Sequence, residues 1–261
     1  MGDVLLVGCG RLGSALLEGW LATGAVDPAR LIVLTPSSKP AAEAARARGA
    51  RINPDPAALA AAKVVVLAVK PAAWRAATAP LIEQIAADAT VVSLMAGVEA
   101  ASLAEVFGAR PIARVMPTTA VAQARGVAAV WSASADARAV AHGLFDAVAD
   151  TVDLEDEGLI DAATAVAGSA PAFIYALTDA LARAGEAAGL DAEVAARLAR
   201  GALRSAGAGA DTGAALSELI ARIASPGGTT EAGLKAAREA GLDAAAQAAV
   251  EAAIARARVL G

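Results

Sequence analysis

Residues 3–13 read Asp-Val-Leu-Leu-Val-Gly-Cys-Gly-Arg-Leu-Gly, an apolar run that ends abruptly in three spaced glycines. Beyond them, 12–22 carries apolar residues at helical spacing and stops at Gly24. Few folds accommodate a buried strand that must turn at once into a helix. Gly8 permits the tight turn, Gly10 lets the backbone approach a ligand, and Gly13 lets the helix pack close against the strand. The pattern predicts the first βα turn of a dinucleotide-binding sheet, with a pyrophosphate at the helix N-terminus.

The rest of the first half repeats this alternation. Short β-branched or apolar runs predict strands at 31–34, 51–52, 64–69, 90–94, 112–115 and 127–131. Helical spacing predicts helices at 41–48, 72–87, 100–107 and 135–149, with a helical turn or two at 56–62. Strands and helices joined by short connections predict a mostly parallel, doubly wound (Rossmann-like) sheet covered on both faces. Around 152–156 the pattern changes. Helices are expected at 160–168, 171–189, from Asp191 to about 208, at 212–224, from Thr229 to Gly241, and from Asp243 to 258. The expected organisation is α/β, with a dinucleotide-binding domain at 1–154 and an all-helical domain at 155–261.

Composition narrows the partners. The 261 residues carry a net charge of −5, and no cluster of Lys and Arg offers a surface for nucleic acid. With one cysteine, Cys9, and one histidine, His142, no intrachain disulfide and no Cys/His metal set can form. Met1-Gly2-Asp3 lacks the basic segment of a secretory signal, and Lys63 and Lys70 interrupt the longest apolar stretch, so neither export nor a membrane span is expected. A reducing cytoplasm is the expected location. Hydrophobic residues reach 57% while aromatics are only 3%. A tightly packed, low-aromatic core follows.

Cofactor choice is read where the second strand ends. An NAD site usually places an acid there, on the ribose 2′-hydroxyl. Here Thr35-Pro36-Ser37-Ser38-Lys39 offers hydroxyls and a lysine, with no acid between Asp27 and Glu43. That chemistry suits the 2′-phosphate of NADPH. Lys70, before Pro71, sits at the carboxyl edge of its strand, where such sheets bind ligands. Late in the chain, Ser225-Pro226-Gly227-Gly228-Thr229-Thr230 precedes a helix. A Pro-Gly-Gly turn, hydroxyls and a helix N-terminus together form a seat for one small anion.

These motifs resemble the pyrroline-5-carboxylate reductase family. The resemblance rests on GCGRLGSALLEG at the start, AVKP at 68–71, SLMAGV at 93–98, RVMPTTA at 114–120, TAVAGSAPAF at 164–173 and IASPGGTTEAGL at 223–234. It covers nearly the whole length. It implies that NADPH, sometimes NADH, binds the first domain. The expected cofactor contacts are Gly8, Gly10, Arg11, Leu12 and Gly13; Thr35, Ser37 and Ser38; Ala68, Val69, Lys70 and Pro71; and Ala96 and Gly97. It further implies a cyclic imino-acid substrate, 1-pyrroline-5-carboxylate, reduced to L-proline and lying between the domains against the 225–230 loop. The helical domain would make a homodimer, or a decamer built from dimers. The chain departs from the family pattern at Arg11-Leu12, Asp55, Thr118, Ala120, Ala124-Arg125, Ala167, Ala170 and Glu231.

A protonated cyclic imine accepts hydride readily, so holding and orienting it supply most of the rate gain. The substrate carboxylate is assigned to the N–H groups of Gly227, Gly228 and Thr229 and the hydroxyl of Ser225. Thr230 is the catalytic candidate, hydrogen bonding the ring nitrogen. Two alternatives stay open: a reductase of another cyclic imine, and a non-catalytic NADP-binding sensor or assembly protein of the same fold.

Overall fold

In the first half, short apolar strands stack side by side because the central ones can bury both of their faces. The computed structural model describes residues 2–259; the outermost residues of the expected domain limits, 1 and 260–261, lie outside that range. Among the described residues one sheet contains β1 (Asp3–Val7), β2 (Leu31–Leu34), β3 (Arg51–Ile52), β4 (Ala62–Leu67), β5 (Thr90–Ser93), β6 (Ile112–Pro117), β7 (Gly126–Trp131) and β8 (Ala149–Asp153). Their order is β3-β2-β1-β4-β5-β6-β7-β8. All neighbours run parallel except β6 and β7, which are antiparallel.

The helices of this half are α1 (Arg11–Thr23), α2 (Pro40–Ala47), α3 (Trp74–Thr78), α4 (Ala100–Phe107), α5 (Ala135–Phe145) and α6 (Ile160–Ala163). Alternation along β1 shows why both faces are covered. Val4 and Leu6 join Leu16, Leu17, Trp20 and Phe145 on one face. Leu5 and Val7 join Val65, Leu67, Leu103 and Phe107 on the other. Each such aliphatic side chain, fully buried, contributes about 1.5–3 kcal/mol. Trp20 is fully buried, and its indole N–H donates to Leu144 O at 2.8 Å, so its one polar atom is satisfied.

Three local differences from the sequence expectations have physical causes. The helix expected over 72–87 is broken: a 3-10 turn at Pro71–Ala73, α3, and a second 3-10 turn at Ala79–Leu81 replace it. Pro80 has no N–H to continue a helix. The helix expected over 135–149 ends at Phe145, and Ala149–Asp153 pairs with β7 as β8. The third concerns membranes. By length and composition the helix Glu157–Ala187 is long and apolar enough to cross a bilayer. The sequence expectation of no such span considered only the Lys63–Lys70 region, whereas no charged residue lies between Asp161 and Asp179.

The chain divides into two compact units: Met1–Gly168 with Ala253–Gly261, and Ser169–Ala252. The sequence places the division at 154/155. By packing, the first unit continues to Gly168, because Ile160 and Ala165 are buried within it. Glu157 adds a polar tie. Its Oε1 accepts from the backbone N–H of Ala100 at 2.6 Å and from Arg114 Nη1 at 2.8 Å. Between α6 and the next helix, residues Thr164–Ser169 form a π-helical segment.

The second half holds α7 (Ala170–Ala187), α8 (Ala192–Ala210), α9 (Leu216–Ile223), α10 (Thr229–Glu239) and α11 (Leu242–Arg258). Asp191 caps α8, accepting from the N–H groups of Glu193 and Val194. Gly189 and Gly241 end helices in the left-handed conformation. The tight core expected from composition is confined to the first unit. No residue of α7, α9 or α10 is buried, and α8 buries only Ala195. Tyr175, Leu177, Leu181 and Leu198 stand more than half exposed in the single chain.

Candidate functional site

The register of the sheet brings the first set of predicted residues to one line. Val7 pairs with Leu34 and with Leu67, and Leu67 pairs with Ser93. The next residues are Gly8, Thr35, Ala68 and Leu94, so the loops after β1, β2, β4 and β5 all leave the sheet from the same edge. Strand order reverses at β1, which has β2 on one side and β4 on the other. Open α/β sheets bind ligands at the carboxyl edge at such a reversal.

The glycine turn is built as its spacing predicts. Gly8 has φ +98°, and a Cβ there would lie 2.7 Å from Ala68 O. A Cβ on Gly13 would lie 2.2 Å from Gly8 O, so only glycine lets α1 approach the turn. Gly10 is the N-cap of α1 and has no side-chain cap. Added there, a Cβ would meet nothing within 4 Å. Space is therefore open beside Gly10, and the N–H groups of the first turn of α1 that follow it have no intrahelical acceptor. The first turn of α1 contains no acid. An open cradle at the positive end of a helix fits a pyrophosphate.

A groove of about 580 Å³ runs along this edge. Of the expected residues, Gly8, Gly10, Thr35 and Ser37 line it on one side and Ala68, Val69 and Lys70 on the other. Arg11, Leu12 and Gly13, which open α1 directly after Gly10, do not line it. Ser38, Pro71, Ala96 and Gly97 do not line it. Ser38 turns aside, its hydroxyl donating to Glu43 Oε1 at 3.2 Å. Ala96 and Gly97 lie in the loop after β5, where Gly97 takes φ +74°.

Asn53 lines the groove although it was not among the expected residues. It sits in the left-handed region at φ +48°, which asparagine tolerates. Its Oδ1 accepts from Thr35 N–H and its Nδ2 donates to Thr35 O, both at 2.9 Å. Thr35 Oγ1 donates in turn to Ser37 O at 2.9 Å. This chain of bonds folds the loop that carries Ser37 and Lys39 into the groove. The Asn53-Pro54 pair is the signal that could have found it, since Asn before Pro marks a turn. Cys9 also lines the groove. It is buried, with its Sγ 3.4 Å from Ser14 Oγ.

The second set of predicted residues lies in the helical unit. Ser225-Pro226-Gly227-Gly228 forms a tight turn closed by Gly228 N–H donating to Ser225 O at 2.9 Å. Proline at its second position and Gly227 at φ +73° at its third match a type II turn. Gly228 is then the N-cap of α10, again without a side-chain cap. Of the three N–H groups assigned to an anion, Gly228 closes the turn and Gly227 donates to Glu231 Oε2 at 2.7 Å. Thr229 and Thr230 open the helix, where N–H groups lack intrahelical partners. Ser225 is exposed and Thr230 half-buried. A cavity of about 590 Å³ borders this turn, lined among others by Gly227, Gly228, Glu231, Lys235 and Arg238.

A family described as "Pyrroline-5-carboxylate reductase dimerisation" matches residues 157–260. One described as "NADP oxidoreductase coenzyme F420-dependent" matches residues 3–97. The chain is 35% identical to the pyrroline-5-carboxylate reductase of Pseudomonas aeruginosa over 239 residues, covering 89% of this chain and 87% of that one. Among solved structures, a pyrroline-5-carboxylate reductase from Coxiella burnetii matches with a TM-score of 0.88 at 28% identity, covering 100% of this chain and 98% of that one. A pyrroline carboxylate reductase from Plasmodium falciparum with NADP bound shares the fold, with a TM-score of 0.81 at 23% identity over 100% and 98% of the two chains.

Proposed function

Because the chain belongs to the pyrroline-5-carboxylate reductase family, we propose that it reduces the ring C=N of 1-pyrroline-5-carboxylate to L-proline, with NADPH as the preferred reductant and NADH as the alternative. It is an NAD(P)H-dependent oxidoreductase. The observation that carries this reading is the likeness to the Pseudomonas aeruginosa reductase across 89% of the chain.

Residues along the β1–β4 edge would hold a reduced nicotinamide dinucleotide, which would supply the hydride. Gly10 and the first N–H groups of α1 would take its pyrophosphate. Ser37, with Lys39 beside it, would favour a 2′-phosphate, since the loop presents a hydroxyl and a cation and no acid, while Thr35 Oγ1, already donating to Ser37 O, shapes the loop. Asn53 holds that loop in shape. The 225–230 turn takes the substrate carboxylate on the N–H groups of Gly227 and Thr229 and the Ser225 hydroxyl, with Thr230 N–H beside them. Thr230 Oγ1 orients the ring nitrogen, since a neutral hydroxyl is a poor acid but a good directional partner. These residues bind and orient; the imine, once protonated, needs no further activation.

The helical half carries the family's dimerisation domain. We assign its exposed apolar residues, including Tyr175, Leu177 and Leu181 on α7, to an interface with a second copy rather than to lipid. A homodimer is the unit, and a decamer would be built from such dimers. The reducing cytoplasm suits a chain whose single cysteine is a buried free thiol. Expression in a bacterial strain lacking its own reductase tests the reading. Growth without proline is expected; continued auxotrophy with soluble protein present would contradict it.

A further inference from the structure

The turn assigned to the substrate carboxylate already holds a carboxylate. Pro226 and Gly227 shape the Ser225–Gly228 turn so that Gly227 N–H faces the first turn of α10, and Glu231 Oε2 accepts it at 2.7 Å. An acid three residues beyond the N-cap is well placed to reach back to a backbone donor, as in a capping box. It also meets the positive end of α10. Two anions cannot share one such donor without strong repulsion. Lys235 lies one helical turn further, lines the same cavity, and has Glu239 only at 3.9 Å. It stands at i+4 from Glu231, the spacing at which a glutamate pairs with a lysine.

We propose that Glu231 is a built-in competitor for the substrate's carboxylate, seated on Gly227 N–H in the free protein and displaced toward Lys235 when an imino acid binds. This rests on the reading of the 225–230 turn as the carboxylate seat. Glu231 is then a specificity-determining residue. A ligand must bring an anion that outcompetes an intramolecular one, so neutral cyclic imines of the same ring size gain nothing from the displacement and are disfavoured.

Steady-state kinetics on four variants test this. In Glu231→Ala the KM for 1-pyrroline-5-carboxylate is expected to fall about tenfold, the scale of one hydrogen bond to a charged group. In Glu231→Gln, which keeps an acceptor but no charge, it is expected to fall by less. The KM for NADPH is the internal reference and is expected to stay within about twofold in both. A purely structural cap would give the opposite sign, because losing it loosens the start of α10 and raises the substrate KM. An unchanged or raised substrate KM in both variants overturns the proposal. Thr229→Pro checks the underlying reading: proline suits the first helical position but deletes one N–H, and Gly228 already has φ −83° and ψ 170°, compatible with a following proline. Its substrate KM is expected to rise relative to Thr229→Ala. If it does not, the carboxylate seat itself is misassigned, whatever the Glu231 variants do.

Discussion

At the scale of single residues, chemistry and backbone geometry decide different things. Gly8 and Gly13 were legible because each answers a distinct steric demand that the structure shows, whereas a Cβ at Gly10 would meet nothing within 4 Å and its role rests on the ligand approach that the spacing predicts. Asn53 was missed because its role is indirect: it shapes Thr35 and so shapes the pocket. Ser37→Glu places an acid where a 2′-phosphate is expected. The ratio of kcat/KM for NADPH over NADH should drop by roughly tenfold or more, and an unchanged ratio would relocate that pocket. Ala124 shows what strain costs. It is exposed and non-glycine at φ +54°, a conformation costing L-residues about 1–2 kcal/mol. Ala124→Gly should stabilise the protein by about 1 kcal/mol after the unfolded-state entropy of glycine is counted, read from chemical denaturation midpoints.

At the scale of elements, strong apolar runs were legible and half-exposed ones were not. Strands β1, β2, β4 and β5 announced themselves as β-branched or aliphatic runs, whereas β3 is only the half-exposed Arg51–Ile52. Strand β8 reads Ala-Asp-Thr-Val-Asp, lies at the sheet edge, and is largely exposed. It owes its place to pairing with β7 and to a polar clasp with α5. His142 Nδ1 lies 2.9 Å from Asp146 Oδ1 and its Nε2 3.3 Å from Asp153 Oδ1, while Thr151 Oγ1 donates to Asp146. Burial works against the imidazolium, but the bonds to Asp146 and Asp153 outweigh it and raise the His142 pKa above the ordinary 6.5. Burial likewise works against ionised Asp146, but bonds from Thr151 and His142 hold its pKa below the ordinary 3.8. The histidine contribution is therefore complete below about 6.5 and is lost as pH rises through the raised value; the Asp146 contribution is lost as pH falls below 3.8. Amide exchange in β8 should be slower at about pH 5 than at about pH 8 after correction for intrinsic rates. His142→Gln should flatten that difference. A difference of the same size in the variant would assign it to another group.

At the scale of the whole molecule, order and spacing of motifs carried more than any one of them. The glycine turn alone is common, and the SPGGTT turn alone could be a helix start. Together, in this order along one chain, they pointed to the family that the likeness over 89% of the sequence then established. What the sequence hid was where the helical half keeps its core. Alanine-rich amphipathic helices predict burial without saying which chain supplies the partner surface. In the single chain those faces are open, and the same uncharged stretch from 162 to 178 passes for a membrane segment. Residues 157–260 match a family described as a dimerisation domain, and the interface proposed above would account for both effects. Oxidation of NADPH by the purified protein in the presence of 1-pyrroline-5-carboxylate reads imine reduction directly. Stoichiometric appearance of L-proline is expected, faster with NADPH than with NADH; no oxidation at any pH tested, from protein that still binds NADPH, would rule out imine reduction by this chain.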